Sequence, residues 1–206
     1  DLGIALEPTN NAIQLGCVGG LHAKVTYTGQ AAHSARPWQG ENAIHKAGAL
    51  LQRLHALLPR PVEIGDLTFY EVTSATLASG GRSRTIVPDS FELNLNYRFA
   101  PGKSIAAAEA ELRTLVGEEA QIEWTDRAPA GAVADSVLTR RLIALSGKPA
   151  EPKQAWTDVA RLSEAGIPAL NCGPGDPAQA HQVGEFVRID AIVAGYRLLS
   201  GLFQST

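Results

Sequence analysis

Residues 21–59, "LHAKVTYTGQAAHSARPWQGENAIHKAGALLQRLHALLP", decide the architecture of this chain. Residues 21–28 alternate in polarity and are rich in β-branched side chains, which predicts a strand. Residues 42–58 place Ile44, Ala47, Leu51, Leu54 and Leu58 at spacings of three and four. That periodicity predicts an amphipathic helix, stopped by Pro59. Strands are expected next at 67–78 and 90–99, joined by "ASGGRSRTIVPDS" with its Gly-Gly and Pro-Asp turn signals. A second helix is expected over 104–116 with Ser104 as its N-cap, and a fourth strand over 120–125. The order β-α-β-β-α-β is the split βαβ arrangement, a four-stranded antiparallel sheet with two helices on one face.

Working outward, this block occupies 21–127 and would stand as a domain by itself. Residues 1–20 contain an apolar strand, Leu2–Leu6, and end in Gly19-Gly20, a candidate hinge because glycine tolerates unusual φ/ψ. Residues 128–206 begin with a linker, "RAPAGAVADS". Helices are expected over 136–146 and 157–165, a short strand in "IPALNC", and a last amphipathic helix over 189–204. Neither the opening strand nor this tail makes a sheet alone. The economical architecture is α/β, with the middle domain inserted into a sheet to which both ends belong.

The composition excludes several classes of function. The formal net charge is −3 and no Lys/Arg cluster stands out, which gives no footprint for nucleic acid. No apolar run approaches the length of a membrane span and no signal peptide is visible, so a cytoplasmic protein is expected. Cys17 and Cys172 lack zinc-motif spacing and read as free buried thiols. There is no methionine, and the chain opens in mid-strand, so the sequence reads as the C-terminal portion of a longer polypeptide. P-loop, dinucleotide, GxSxG and HExxH signatures are missing.

Few residues suggest chemistry from their types and positions. Glu7 ends a buried strand, where open α/β sheets collect ligands, yet a solvated carboxylate fits the same place. His181 follows the Gly/Pro-rich loop "CGPGDPAQAH", where it is a metal-ligand candidate or a surface residue; Glu185 is then its candidate outer-shell partner. Arg98 sits in the alternating strand "LNYRF", suited to bidentate carboxylate capture or to snorkelling. Trp156-Thr157-Asp158 fits a capped helix start. His22, His45 and His55 fit strand or helix surfaces, and His33 has no carboxylate, thiol or second histidine at ligand spacing.

Four blocks together carry a resemblance: "LEPT", "GQAAHSARPWQGENAI", "TIVPDSFELNLNYRF" and "WTDVARLSEAGIPALNCGPGDPAQAH". They resemble the di-zinc amidohydrolases that include succinyl-diaminopimelate desuccinylase, acetylornithine deacetylase and carboxypeptidase-like peptidases, nearest to the desuccinylase-like branch. The resemblance implies a zinc-peptidase-like catalytic domain carrying an inserted ferredoxin-like lid that also makes a homodimer. It implies a pair of zinc ions per intact site, with cobalt as a possible replacement, and a small N-acyl amino acid as substrate. Glu7 and His181 then match zinc ligands. His33 matches the lid histidine that reaches the partner subunit's site and stabilises the oxyanion, and Arg98 the arginine that binds a substrate carboxylate. Thr85 stands where many members have asparagine; Trp156, Thr157 and Gly173 fall along the substrate pocket. The family's other ligands, a His-x-Asp histidine, a bridging aspartate and a Glu-Glu pair, are not among these 206 residues. The expectation is therefore part of a desuccinylase-like enzyme, with a deacetylase or carboxypeptidase, or a non-catalytic dimerisation and lid module, as alternatives.

Overall fold

The structure, a computed structural model, describes residues 1–180 and 182–204. The chain begins with β1 (Gly3–Ala5), β2 (Gln14–Leu15), β3 (Gly19–Thr28) and β4 (Ala32–His33), followed by α1 (Ala43–Lys46) and α2 (Gly48–Ala56). Next come β5 (Arg60–Ile64), β6 (Leu67–Gly80), β7 (Ile86–Val87), β8 (Ser90–Phe99), α3 (Ile105–Val116) and β9 (Gln121–Ala128). The tail holds α4 (Val137–Ser146), β10 (Glu151–Pro152), α5 (Val159–Glu164), β11 (Ala169–Asn171) and α6 (Ile189–Ser200).

The middle of the chain is a ferredoxin-like layer of antiparallel strands in the order β5-β6-β8-β3-β9. Alternate residues share a face, so Leu21, Ala23, Val25 and Tyr27 of β3 and Phe91, Leu93, Leu95, Tyr97 and Phe99 of β8 are buried together. Ala43, Ala47, Leu50, Ala108, Leu112 and Val116 bring the helices onto that same face. Ser104 Oγ accepts from Ala107 N at 3.1 Å, the expected N-cap. Arg53 donates to the carbonyls of Leu115 and Val116, tying α2 to the last turn of α3.

Three expectations need correction. The sheet has five strands, because "RPVEI" forms a hairpin with the start of β6 around Gly65, whose φ is 60°. Pro61 is tolerated there because β5 is an edge strand. The helix over 42–58 breaks at Ala47 and buries a face shifted by one residue: Ala43, Ala47 and Leu50 are inside, while Ile44, Leu51 and Leu58 are 37%, 38% and 83% exposed. Alanines let the helices approach the sheet more closely than the larger side chains would. Gly19 and Gly20 are no strained hinge; both lie within β3 and neither has positive φ. Their missing Cβ atoms make room for neighbours, since a Cβ on Gly19 would lie 2.3 Å from the Phe99 ring.

The two ends of the chain meet in one small sheet, ordered β1-β11-β2-β10, with β1 parallel to β11 and β11 antiparallel to β2. A second core of Ile13, Leu15, Val18, Leu142, Leu170 and Cys172 backs it. Leu67 and Phe69 of β6 also enter this core, so the two layers share an apolar seam. Gln154 reinforces that seam by bonding both the N–H and the C=O of Tyr70, at 3.0 and 2.5 Å. Both cysteines are free and buried.

One polar cluster sits inside the lid. Glu71, 4% exposed, accepts from Ala100 N at 2.9 Å, Lys103 Nζ at 2.8 Å and Tyr97 Oη at 3.2 Å, and also from Arg60. Glu111 joins through Lys103 and Tyr97. Burial disfavours the ionised forms of Glu71 and Glu111, but these bonds outweigh it and hold both carboxyls below their ordinary 4.5. Burial and the bond to Glu111 push the Tyr97 phenol up to about 12.

Because both carboxyls titrate lower in the folded chain, their stabilisation is complete above pH 4.5 and is lost as pH falls through the depressed values. Glu71→Gln should cost about 3 kcal/mol in urea unfolding at pH 7, because it removes the buried charge shared by Lys103 and Arg60 and leaves Lys103 only the more exposed Glu111. The difference from the parent should narrow as the pH falls below about 4. A pH-independent difference would contradict the ionised state of this cluster.

Candidate functional site

Two of the expected site residues, His33 and Arg98, lie toward opposite ends of the lid. At one end β4 pairs with β7, setting His33 opposite Ile86, and Ser34 N donates to Thr85 O at 2.9 Å. His33 and Thr85 are therefore neighbours, both exposed. Ala35 N donates to His33 Nδ1 at 3.1 Å, so the neutral ring carries its proton on Nε2. This leaves an N–H donor available at the lid tip. Trp38, 77% exposed, stands on the next turn.

Arg98 lies at the other end. In the β3–β8 register Gly20 faces Arg98 and Thr28 faces Ser90. Eight residues of antiparallel strand put these ends about 27 Å apart. Arg98 lies across Gly20, whose Cβ, if present, would sit 2.7 Å from Arg98 Nη1. Among the described residues the Arg98 side chain has no hydrogen-bond or ion-pair partner. Its guanidinium opens into a cleft of about 820 Å³, which His22, Asp126, Trp156, Arg161 and Glu164 help to line. Trp156 forms one wall: its Nε1 donates to Pro129 O at 3.1 Å, and Arg161 stacks 5.6 Å from its ring centre.

Thr157 lies behind that wall, 3% exposed, with a buried Oγ1 that has no hydrogen-bond partner among the described residues. The helix it precedes starts at Val159, and its N-cap, Asp158, makes no side-chain cap bond. Capping therefore does not explain Trp156-Thr157-Asp158. Glu7 is half-buried just beyond β1. Gly173 supports it from below: a Cβ there would lie 2.6 Å from Glu7 O, and the Gly173 carbonyl accepts from Thr9 N and Asn11 N. Gly173 is thus buried against the Glu7 loop by its backbone. His181 lies outside the described residues.

Among the described residues no three His, Cys, Asp or Glu side chains gather to hold a metal ion. Glu7 is the only described member of the expected ligand pair, so the described residues alone do not complete a metal centre. The sequence reading passed over Lys153 and Asp126 and set His22 aside. Lys153 is 8% exposed; burial lowers its pKa, opposed by the Glu7 carboxylate. Its place beneath the sheet has no sequence signal, because β10 is only two residues long.

A model of the peptidase dimerisation domain matches residues 15–123. The chain belongs to the peptidase dimerisation domain family. This match runs from the end of β2 to the first residues of β9 and contains both His33 and Arg98. The chain is 43% identical to a putative succinyl-diaminopimelate desuccinylase of Mycobacterium tuberculosis, covering 97% of this chain and 57% of that protein. It is 37% identical to the succinyl-diaminopimelate desuccinylase of Corynebacterium glutamicum, covering 93% and 54%. An acetylornithine deacetylase of Myxococcus xanthus is 31% identical over 83% of this chain and 48% of its own length. The chain thus spans about half the length of the curated relatives it matches. Among solved structures, aminopeptidase PepT of Bacillus cereus superposes with a TM-score of 0.74 at 17% identity, covering 98% of this chain and 56% of that one. At that identity the likeness is one of fold.

Gly20 gives a direct test of how the family's sheet positions Arg98. Its backbone suits alanine, and the clash would fall on the flexible tip of Arg98. Gly20→Ala should leave the melting temperature within about 2 °C of the parent while weakening binding of a carboxylate probe such as succinate roughly tenfold. NMR titration reads the affinity, and undiminished binding would show that Arg98 does not act from across Gly20.

Proposed function

We propose that this chain supplies the lid, the dimer contact and the substrate-reading cleft of a metal-dependent N-acyl amidohydrolase of the succinyl-diaminopimelate desuccinylase type. The observation that carries this reading is that Arg98 sits at one end of the β3–β8 register while the chain leaves for His33 from the other, strand ends about 27 Å apart. A small substrate cannot touch both in one chain, but it can meet Arg98 of one copy and His33 of another.

In this reading Arg98 donates to the substrate's carboxylate through its planar fork, and Trp156 walls the cleft with Thr157 behind it. His33 donates its Nε2 proton to the oxygen that becomes negatively charged as the amide is attacked, with Thr85 beside it. Both roles position or stabilise; neither requires His33 to lose its proton. Glu7 and His181 are the residues that would contribute to a pair of zinc ions, or cobalt in their place. The metal would supply the activation of water. The described residues do not complete that centre, so no step is assigned through it.

The second copy has a surface to use. β5 pairs only with Leu67–Glu71, whereas β6 runs on to Gly80, and residues 74–80 are all exposed. Such an edge accepts another strand, and a two-fold axis would make the pairing self-complementary. The succinyl reading is favoured over acetyl by the two desuccinylase relatives at 43% and 37% identity. A cytoplasmic setting belongs to this reading; no helix among the described residues is long and apolar enough to cross a membrane.

His33→Ala in the active enzyme should lower kcat about a hundredfold and change KM only a few-fold, because the bond forms in the transition state. The assay is hydrolysis of N-succinyl-diaminopimelate, with N-acetylornithine as the competing substrate. An unchanged kcat would remove His33 from the mechanism, and faster hydrolysis of the acetyl compound would favour the deacetylase reading.

A further inference from the structure

The polar face of the lid sheet carries a row of residues that the proposed reaction leaves unused. Asp126 of β9 and Asn96 of β8 flank His22 of β3 in register, and Asn96 Nδ2 donates to His22 Nε2 at 3.2 Å. The next row on the same face holds Gly20 and Arg98.

Asp126 joins this face only through a β-bulge. Trp124 pairs with Ala23 and Asp126 with His22, which makes Thr125 the extra residue. In an unbroken strand Asp126 would share the face of Trp124, which packs against the core. The bulge instead turns the carboxylate toward the cleft, a use of bulges found beside functional sites.

The charges around the cleft are unmatched in an informative way. Arg127 is already paired with Glu109 at 2.5 Å. Arg98, Asp126 and Glu164 line the same space, and none has an ion-pair partner among the described residues. With Arg98 lying across Gly20, strand spacing and rise put the Asp126 Cα about 8 Å from that of Gly20. No ion pair joins Arg98 to Asp126 in the structure, although both line the same cleft. A ligand with a carboxylate and an ammonium on one carbon can bridge them.

We propose that Asp126 reads the free ammonium of a substrate whose carboxylate Arg98 holds, so that the cleft selects N-acyl compounds carrying an unacylated α-amino-acid head group. This rests on the reading of Arg98 given above. Lysine-like ω-ammonium groups and plain dicarboxylates each satisfy only one of the two charges.

Three probes of equal chain length separate the terms: L-norleucine carries both charges, hexanoate only the carboxylate and hexylamine only the ammonium. NMR titration of the protein should show norleucine binding roughly tenfold tighter than either of the others. Asp126→Asn, at an exposed position, should erase the preference for norleucine over hexanoate while hexanoate affinity stays within about twofold. Equal binding of norleucine and hexanoate to the parent chain overturns the proposal. So does a preference that survives Asp126→Asn, or one that Glu164→Gln erases equally well. Arg98→Met tests the earlier reading separately: it should weaken hexanoate binding, and if it does not, the carboxylate assignment falls and this inference with it. Absence of binding by every probe at tens of millimolar overturns both.

Discussion

The ten-residue register of β3 against β8 is the constraint on which the rest of the site depends. It is buried on one face by alternating apolar residues, so a slip of one position would expose the core and cannot occur cheaply. The same register fixes which polar residues share the other face, and it holds Arg98 over Gly20 at one end. At the other end it sets where the chain leaves for His33. The placing of the two groups is therefore a property of the sheet, and the proposal that they act from two copies follows from it.

Much of the fold was legible because it is written in local periodicity. The alternation in 21–28 and 90–99, the Ser104 cap and the need of both chain ends for a common sheet can be read from spacing alone. The helix face was misread because both stripes, Ile44/Leu51/Leu58 and Ala43/Ala47/Leu50, have helical spacing. Hydrophobicity favours the first, whereas close packing onto the sheet selects the smaller residues. The edge strand β5 was missed because its five residues include a proline and two charged residues, Arg60 and Glu63.

The site divides along the same line. His33, Arg98 and the "WTD" segment are visible as sequence blocks, and the structure sets Trp156 beside Arg98 at one cleft. Asp126 and His22 become a pair only through a bulge in β9, which no spacing rule reveals. Gly20 looked like a hinge and is instead the floor beneath a guanidinium. The charged residues of the Glu71 cluster lie far apart in sequence, at 60, 71, 103 and 111, and only the packed lid brings them together. That cluster is fully paired, whereas the charges at the Arg98 cleft are not. The contrast separates polar groups that hold the lid together from those left open to a ligand.

The central claim, that residues of two copies act on one substrate, is tested most directly by mixing two inactive variants. Chains carrying His33→Ala and chains carrying Arg98→Met are combined under conditions that exchange subunits, and hydrolysis is measured in the mixed dimers. If each site takes Arg98 from one copy and His33 from the other, a mixed dimer has one intact site, and an equal mixture should recover about a quarter of the parent activity. If both residues act within one chain, no combination contains an intact site. An unrestored mixture whose mixed dimers are shown to form would contradict the account.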